Sequence, residues 1–503
     1  MAWLSLLRAD VVWRKVARAA LIAVAFAPLS CTTQSRPRRT LDESELTPSG
    51  HGSVAPMQPS AASGDGALPE PRPGRKFREQ FGVSSKFQQG ESEADLSLLS
   101  DLGVTWVRDS VPWGAMEPAP GRFIDFPPAF QRRLAFYKAH DMGVIFMLAY
   151  DNDAAYKRTT NNPAAAFDPA AYGRWSLEVA KRLRQSNIRF VLELWNEPHN
   201  MVLRPVLGGA WNGAPPSPWV RHYVRMVGNA VEQVKGFDPG IRIIDDDDMW
   251  VIHYWFLEAG LPRELDGFAF HPYVEHMPEQ AAVDQKTNWV APYVAVDADG
   301  SFKSAVRRLR ERGKEKLGKS PEMWITEWGW PVKEGAASEK AFPEQTVAAW
   351  LPRAFVLAEA AGVETLCWFS TQDNADGPMG LTDNGGRKRE AYFTFKSLSD
   401  ELGEYTFVGQ VAGVEHQTSG TQGYLFHRAR RGKLVVWTIE PASNWLLLEG
   451  PLRAARAKDH FGQPLTASLG SRGVASLRLG PAPIYLDFEL PNAGLALQLS
   501  DVP

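Results

Sequence analysis

The sequence predicts a (β/α)8 barrel with a small all-β sandwich at its C-terminal end. Three observations carry that prediction. From Phe77 to about Leu402, short β-rich runs alternate with longer amphipathic stretches. Such alternation calls for a parallel sheet covered by helices. Eight units fill about 320 residues, the scale of a closed barrel. After Leu402 the long helical patterns stop and short strands take over. An open doubly wound sheet is the structural alternative, but neither GxGxxG nor a Walker sequence is present.

In chain order, the candidate barrel strands are Phe81–Ser84, Trp106–Arg108, Val144–Ala149, Phe190–Trp195, Ile241–Asp245, Gly267–Phe270, Met323–Thr326 and Thr365–Phe369. Each is a short run rich in β-branched and aromatic residues. Between them, helical spacing covers Pro128–His140, Ala171–Gln185, Pro218–Lys235, Lys303–Lys316 and Glu344–Ala361. In the sandwich, Tyr424–Phe426, Leu434–Ile439, Ala475–Leu479 and Ile484–Phe488 read as strands, with Arg430-Arg431-Gly432 as a turn. The expected domains are residues 1–31 as a signal peptide, 32–75 as a tether, 76–402 as the barrel and 403–503 as the sandwich.

Composition narrows the function classes. Of 503 residues, 44% are apolar and 22% charged, so a large core can form and a fibrous or wholly disordered chain is excluded. Lys plus Arg is 55 against 58 for Asp plus Glu, a net charge of -3. No basic excess exists to grip nucleic acid. A monomer is expected.

The N-terminus reads as an address. Arg8, Arg14, Lys15 and Arg18 precede an apolar run from Ala19 to Leu29 that ends at Ser30 and Cys31. That run suits a signal h-region and is too short to span a bilayer. Cys31 in this place resembles the lipidation site of bacterial lipoproteins. The match departs from the family pattern, which prefers Leu three residues before the Cys, where Pro28 stands. Thr32 follows the Cys, without the Asp that the family associates with inner-membrane retention. The resemblance therefore implies export and an outer-membrane anchor, with ordinary cleavage to a periplasmic or secreted form as the alternative. From Thr32 to Arg75 there are 7 Pro and no aromatic residue. Such a segment buries too little to offset its conformational entropy. After lipidation only Cys367 remains free, so no internal disulfide is expected.

Barrel active sites lie where strands end at the C-terminal face. The fourth candidate strand ends Leu194-Trp195-Asn196-Glu197-Pro198, and the seventh ends Ile325-Thr326-Glu327-Trp328-Gly329. Each places a Glu at the rim, and strands four and seven of a small barrel face each other. Two carboxyl groups flanking one bond are what glycoside hydrolysis needs, one protonated to release the leaving oxygen and one ionised. For Asn196 and Glu197, neighbours in sequence, both to face the mouth, the strand must bulge or end there.

Asn196-Glu197-Pro198 after one strand and Glu327 after a later one resemble the clan A glycoside hydrolases over Phe77 to about Leu402. The resemblance implies a (β/α)8 fold, retention of anomeric configuration, Glu197 as acid/base and Glu327 as nucleophile. It further implies that Arg108 lies near the nucleophile and that His271-Pro272-Tyr273 matches the clan's His-x-Tyr element. Trp368 would floor the sugar site, Asn196 would bind the sugar 2-hydroxyl, and Tyr273 would donate to Glu327. A lone Asn-Glu-Pro is as consistent with a helix or loop start. Five elements at the ends of five strands in the expected order outweigh that reading.

Two features lean towards family 39 and its bacterial exopolysaccharide-processing members. The third strand continues Leu148-Ala149-Tyr150-Asp151-Asn152, where family 5 usually has a His. The β domain carries an Asp459-His460-Phe461-Gly462 turn and an Ala482-Pro483-Ile484-Tyr485 strand. Fourteen of the 18 Trp lie between Trp106 and Trp368. Trp113, Tyr150, Trp211, Trp328 and Trp368 are candidate sugar-binding aromatics, and an extended aromatic cleft would suit internal cleavage of a polysaccharide. The competing reading of each Trp is core packing. The run Asp245-Asp246-Asp247-Asp248 lacks EF-hand spacing and reads as a polar rim rather than a Ca²⁺ site. No zinc spacing and no HExxH occur, so no metal and no cofactor are expected. Exo-acting β-xylosidase-like trimming and transglycosylation are the enzymatic alternatives. A glycan-binding lipoprotein is the non-enzymatic one, and loss of a catalytic Glu would be its mark.

Overall fold

The computed structural model describes residues 72, 74–281, 293–333, 340–411, 420–439, 445–449, 456–466, 468–469, 475–489 and 498–500. All lie in one compact unit, Pro56–Pro503. The signal peptide, Cys31 and most of the tether lie outside the described residues, as does Trp289, another Trp of the segment expected to form the aromatic cleft. The tether's last part departs from the expectation of free chain. Arg72 donates to Val363 O at 2.8 Å and pairs with Glu364 at 2.6 Å, and Arg75 pairs with Glu359 at 3.3 Å. Among the described residues no helix is long and apolar enough to cross a membrane.

Eight parallel strands close into a barrel in chain order. They are β1 (Phe81–Ser84), β2 (Trp106–Asp109), β3 (Gly143–Leu148), β4 (Phe190–Leu194), β5 (Arg242–Asp247), β6 (Gly267–Phe270), β7 (Glu322–Trp328) and β8 (Leu366–Phe369). Helices at Pro128–Ala139, Pro169–Gln185, Pro218–Phe237, Phe302–Leu317 and Glu344–Ala360 cover it. Pro at the first position of the first three fits there because that N–H has no helical acceptor.

The strand period sorts the barrel into layers. Trp106, Ile145, Val191, Ile244, Ala269, Trp324 and Cys367 form a buried apolar floor inside it. Trp106 and Trp324 meet edge to face, their ring centroids 5.6 Å apart. Gly82 makes room for Cys367, since a Cβ there would sit 2.6 Å from its Sγ, and Gly143 makes room for Trp106, whose ring a Cβ would meet at 2.6 Å. Two residues further along, four of the strands turn buried polar side chains inward: Arg108, Glu193, Asp246 and His271. The floor thus closes the barrel beneath a charged layer.

Strand β4 ends at Leu194, and the next residues leave the extended region. Trp195 has φ 78° and Glu197 φ 46°. The expected irregularity is therefore a strand end, not a bulge. The β4–β5 pairing stops at Glu193 and Ile244. Beyond it, the Tyr223 hydroxyl donates to Leu194 O at 2.6 Å and accepts from Asp246 N–H at 2.9 Å. A side chain from the Pro218–Phe237 helix thus replaces a lost ladder bond. The β7–β8 register also shifts, between Ile325 and Trp328. These two breaks turn Glu197 and Glu327 onto the mouth.

The C-terminal region forms two antiparallel sheets. The strands are β9 (Thr406–Gln410), β10 (Thr421–Arg428), β11 (Arg431–Thr438), β12 (Trp445–Glu449), β13 (Arg456–Lys458), β14 (Pro464–Leu465), β15 (Ser468–Leu469), β16 (Ala475–Arg478), β17 (Ile484–Glu489) and β18 (Gln498–Ser500). Their orders are β14-β13-β17-β11-β10-β9 and β15-β16-β12-β18, a sandwich topology. The β10–β11 turn falls at Ala429 and Arg430, one residue before its expected place, because Arg428 pairs with Arg431. Buried Glu279 joins the sandwich to the barrel. It accepts from Arg353 Nε at 2.8 Å and from Trp437 Nε1 on β11 at 2.8 Å. The sandwich therefore braces the segment that leads away from β6.

Replacing Tyr223 by Phe leaves the Leu194 carbonyl and the Asp246 N–H buried without their partner. The expected cost is about 1–3 kcal/mol, read as a lower urea midpoint. An unchanged midpoint would contradict the bridge.

Candidate active site

A cavity of about 860 Å³ opens at the C-terminal end of the barrel strands, within the range for ligand sites. Its lining includes Lys86, Tyr150, Asn196, Glu197, Tyr273, Glu327 and Phe369. Side chains from the ends of six strands meet in it. Glu197, His271 and Glu327 each offer a polar atom, and these atoms all lie within 4.8 Å of one another.

Arg108 organises the floor of this cavity. Its Nε donates to Glu193 at 2.6 Å, Nη2 to Asn196 Oδ1 at 2.8 Å, and Nη1 to Glu327 Oε1. With its oxygen held there, the Asn196 amide points its Nδ2 to the Tyr150 hydroxyl, 2.9 Å away. Tyr273 donates to the other Glu327 oxygen at 3.0 Å. Lys86, following β1, places Nζ 3.8 Å from Glu327 and 4.7 Å from the Phe369 ring centroid.

The two carboxyls are electrostatically unlike. Burial raises both. For Glu197 burial dominates, and its carboxyl lies above the ordinary range, with Asp248 and Glu327 adding repulsion against the pull of His271. For Glu327 burial is outweighed by Lys86, His271 and Arg108 together with the Tyr273 hydrogen bond, which hold it at about 2. One group is thus biased towards keeping its proton and the other is ionised. His271 Nδ1 stands 3.0 Å from Glu197 Oε1 and 3.9 Å from Glu327 Oε2.

Of the residues expected here, Arg108, Tyr150, Asn196, Glu197, His271, Tyr273 and Glu327 are brought together. Four Trp expectations need correction or restriction. Trp113 is buried, stacked on Trp175 at 4.9 Å, with its indole donating to Glu117. Trp328 is buried against Phe302 and Trp330. Trp368 is buried and packs on Trp330. Strand alternation explains this last case: Cys367 points into the barrel, so Trp368 points out and Phe369 takes the cavity position. Trp211 is 42% exposed and lies edge-on to His199 at 5.9 Å, outside the cavity lining. The expected aromatic cleft is largely core: Trp195, Trp250 and Trp330 are buried too.

The acidic run is also not a rim. Asp245, Asp246 and Asp247 are buried and serve different partners. Asp245 faces His253 at 3.3 Å, and Asp247 faces His199 at 2.8 Å. Asp246 accepts the Glu197 backbone N–H at 2.8 Å. Lys86, Asp246 and Phe369 were missed from sequence. Alternation from the inward Cys367 and Ile244 was the signal for the last two, whereas nothing local marks Lys86.

No family model matches the chain, and no curated protein matches it. Solved structures do. The chain is similar to a family 39 glycoside hydrolase from the gut symbiont Bacteroides cellulosilyticus WH2, with TM-score 0.66, 19% identity, and coverage of 84% of this chain and 83% of that one. It is also similar to a family 39 β-xylosidase from Caulobacter crescentus, with TM-score 0.53, 13% identity, and coverage of 84% and 98%. A family 30 endoxylanase from Clostridium papyrosolvens C71 aligns with TM-score 0.52, 11% identity, and coverage of 84% and 98%. At these identities the likeness shows a shared fold alone.

Removing one cation should move the ionised carboxyl without disturbing the cavity. In Lys86→Met, ¹³C-detected titration of Glu327 is expected to move up from about 2 towards the ordinary Glu range. An unmoved titration would show that Lys86 does not hold Glu327 ionised.

Proposed function

We propose that this chain is a retaining β-glycosidase. The observation that carries the reading is the carboxyl pair, with oxygens of Glu197 and Glu327 within 4.8 Å. Retaining enzymes hold their two carboxyls about 5–5.5 Å apart, whereas inverting ones leave roughly 6.5–9.5 Å for a water. The unlike electrostatics support the division of labour. Glu197, above the ordinary range, protonates the leaving oxygen. Glu327, ionised and held by Arg108 and Tyr273, attacks the anomeric carbon and forms a glycosyl-enzyme. Glu197, now a carboxylate, takes a proton from a water whose oxygen attacks the anomeric carbon and displaces Glu327, which releases the sugar with its original configuration. Asn196, with its amide fixed by Arg108 and Tyr150, is placed to bond the sugar 2-hydroxyl, an interaction that strengthens in the transition state.

The proposed substrate is an extracellular or periplasmic polysaccharide, cleaved internally. Met201 lines the cavity beside Glu197 and is 40% exposed. Exposed Trp211 lies on the same rim loop, which Trp195 Nε1 anchors at Met201 O, 3.2 Å away. Apolar side chains outward of the acid/base suit further sugar units on the leaving side. Export through the N-terminal segment, with Cys31 lipidated at an outer membrane, belongs to the same proposal.

The test is product mass and anomer on a panel of β-glucans, mannans, xylans and bacterial exopolysaccharides. Oligosaccharides of retained configuration are expected from one polymer. Glu327→Gln is expected to abolish turnover, and Glu197→Gln to lower it roughly 10²–10⁴-fold. Monosaccharide as the sole product would favour exo-acting, xylosidase-like trimming. Inverted product would refute the mechanism.

A further inference from the structure

We propose that Asp246 is a positioning residue of the acid/base, gripping Glu197 at both ends: its backbone directly, and its carboxyl through His271. The proposal rests on the glycosidase reading above.

The geometry is a closed loop of contacts. Asp246 Oδ2 accepts the Glu197 N–H at 2.8 Å. Asp246 Oδ1 lies 3.2 Å from His271 Nε2, and His271 Nδ1 lies 3.0 Å from Glu197 Oε1. Asp246 and His271 are buried. Glu197 needs such a hold, because its φ of 46° is a region a non-glycine residue adopts only when its surroundings fix it. Asp246 is itself fixed, since its N–H is bonded to Tyr223.

The loop also sets the charge on His271. Glu197 faces it from the end of β4, Asp246 from β5, Thr326 Oγ1 (3.1 Å) and Glu327 from β7, and the Tyr273 ring from beyond β6. Glu193 lies in the same cluster as Asp246 and His271. Arg108 stands one contact further off, between Glu193 and Glu327. Burial disfavours the imidazolium, but Asp246 and Glu327 outweigh it, and His271 is held charged well above its ordinary range. Its Nε2–H then donates to Thr326 Oγ1, with Asp246 Oδ1 3.2 Å away as its counter-ion, and its Nδ1–H donates to Glu197. A cation at that point lets Glu197 lose its proton more readily than burial alone would. It thereby shapes the upper limit of the acid form.

Asp246→Asn keeps an oxygen for the Glu197 N–H but removes the counter-ion of the imidazolium. His271 should then be neutral at pH 7, and Glu197 should hold its proton to higher pH. The direct test needs no substrate: ¹⁵N-detected titration of His271 in the resting protein. The expected result is a charged His271 through neutral pH in the unaltered protein, and titration at or below about pH 6.5 in Asp246→Asn. A neutral His271 in the unaltered protein at pH 7, or one unmoved by the substitution, overturns the proposal, and the first outcome needs no variant to fold. On a cleaved glycoside, the basic limb of kcat/KM in Asp246→Asn should rise by about one pH unit or more, with His271→Gln in the same background adding no further rise. A basic limb at its original pH, in an active folded variant, also overturns it. If the unaltered protein cleaves nothing while His271 behaves as expected, the glycosidase reading fails and the charge coupling stands.

Discussion

The buried guanidinium of Arg108 is the interaction on which the rest of the site depends. A cation out of water costs several kcal/mol unless it is paired, and Arg108 is 3% exposed. Its pairing is distributed: Glu193 on β4, Asn196 just past the end of β4, and Glu327 on β7. One planar group thereby fixes two sides of the barrel mouth relative to each other. It also decides two orientations at once, the carboxylate of Glu327 and the amide of Asn196. A lysine could not hold three acceptors in one plane in this way.

The difference between the two carboxyls comes from where the cations sit, not from depth. Burial acts on both and raises both. Of the two carboxyls, it is Glu327 that Arg108 and Lys86 touch, while Glu197 is drawn towards ionisation by His271 and faces the acids Asp248 and Glu327. Two acids this close cannot both be readily ionised. The cations therefore select which one carries the charge, and so which chemical role each can take. Beneath the site, the floor of Trp106, Trp324 and neighbouring apolar residues offers no surface rich in polar atoms that would screen that selection.

Much of this was legible in the sequence, because strand and helix periods survive in a barrel whose every strand is buried. All eight strands lie where the β-rich runs are, with ends displaced by at most two residues. Glu197 and Glu327 were visible as acids closing two runs. The Trp residues were misread for a physical reason: an indole suits a sugar face and a protein core equally well. Its side of the strand decides: Trp368 packs on Trp330 while its neighbour Phe369 faces the cavity. The acidic run was opaque likewise. A local pattern cannot tell that Asp245 and Asp247 point to His253 and His199 while Asp246 points inward. The break at Leu194 was foreseen, but its bridge by Tyr223, 29 residues away, was not.

The most direct test of the central claim, a nucleophilic Glu327 opposite an acid Glu197, is covalent trapping. A panel of 2-deoxy-2-fluoro-glycosyl fluorides would be incubated with the protein, followed by intact mass and peptide mapping. One glycosyl unit per chain, located on Glu327 and absent in Glu327→Gln, is the expected result. Label on Glu197, or turnover of the matching glycoside with inversion and no adduct, would contradict it.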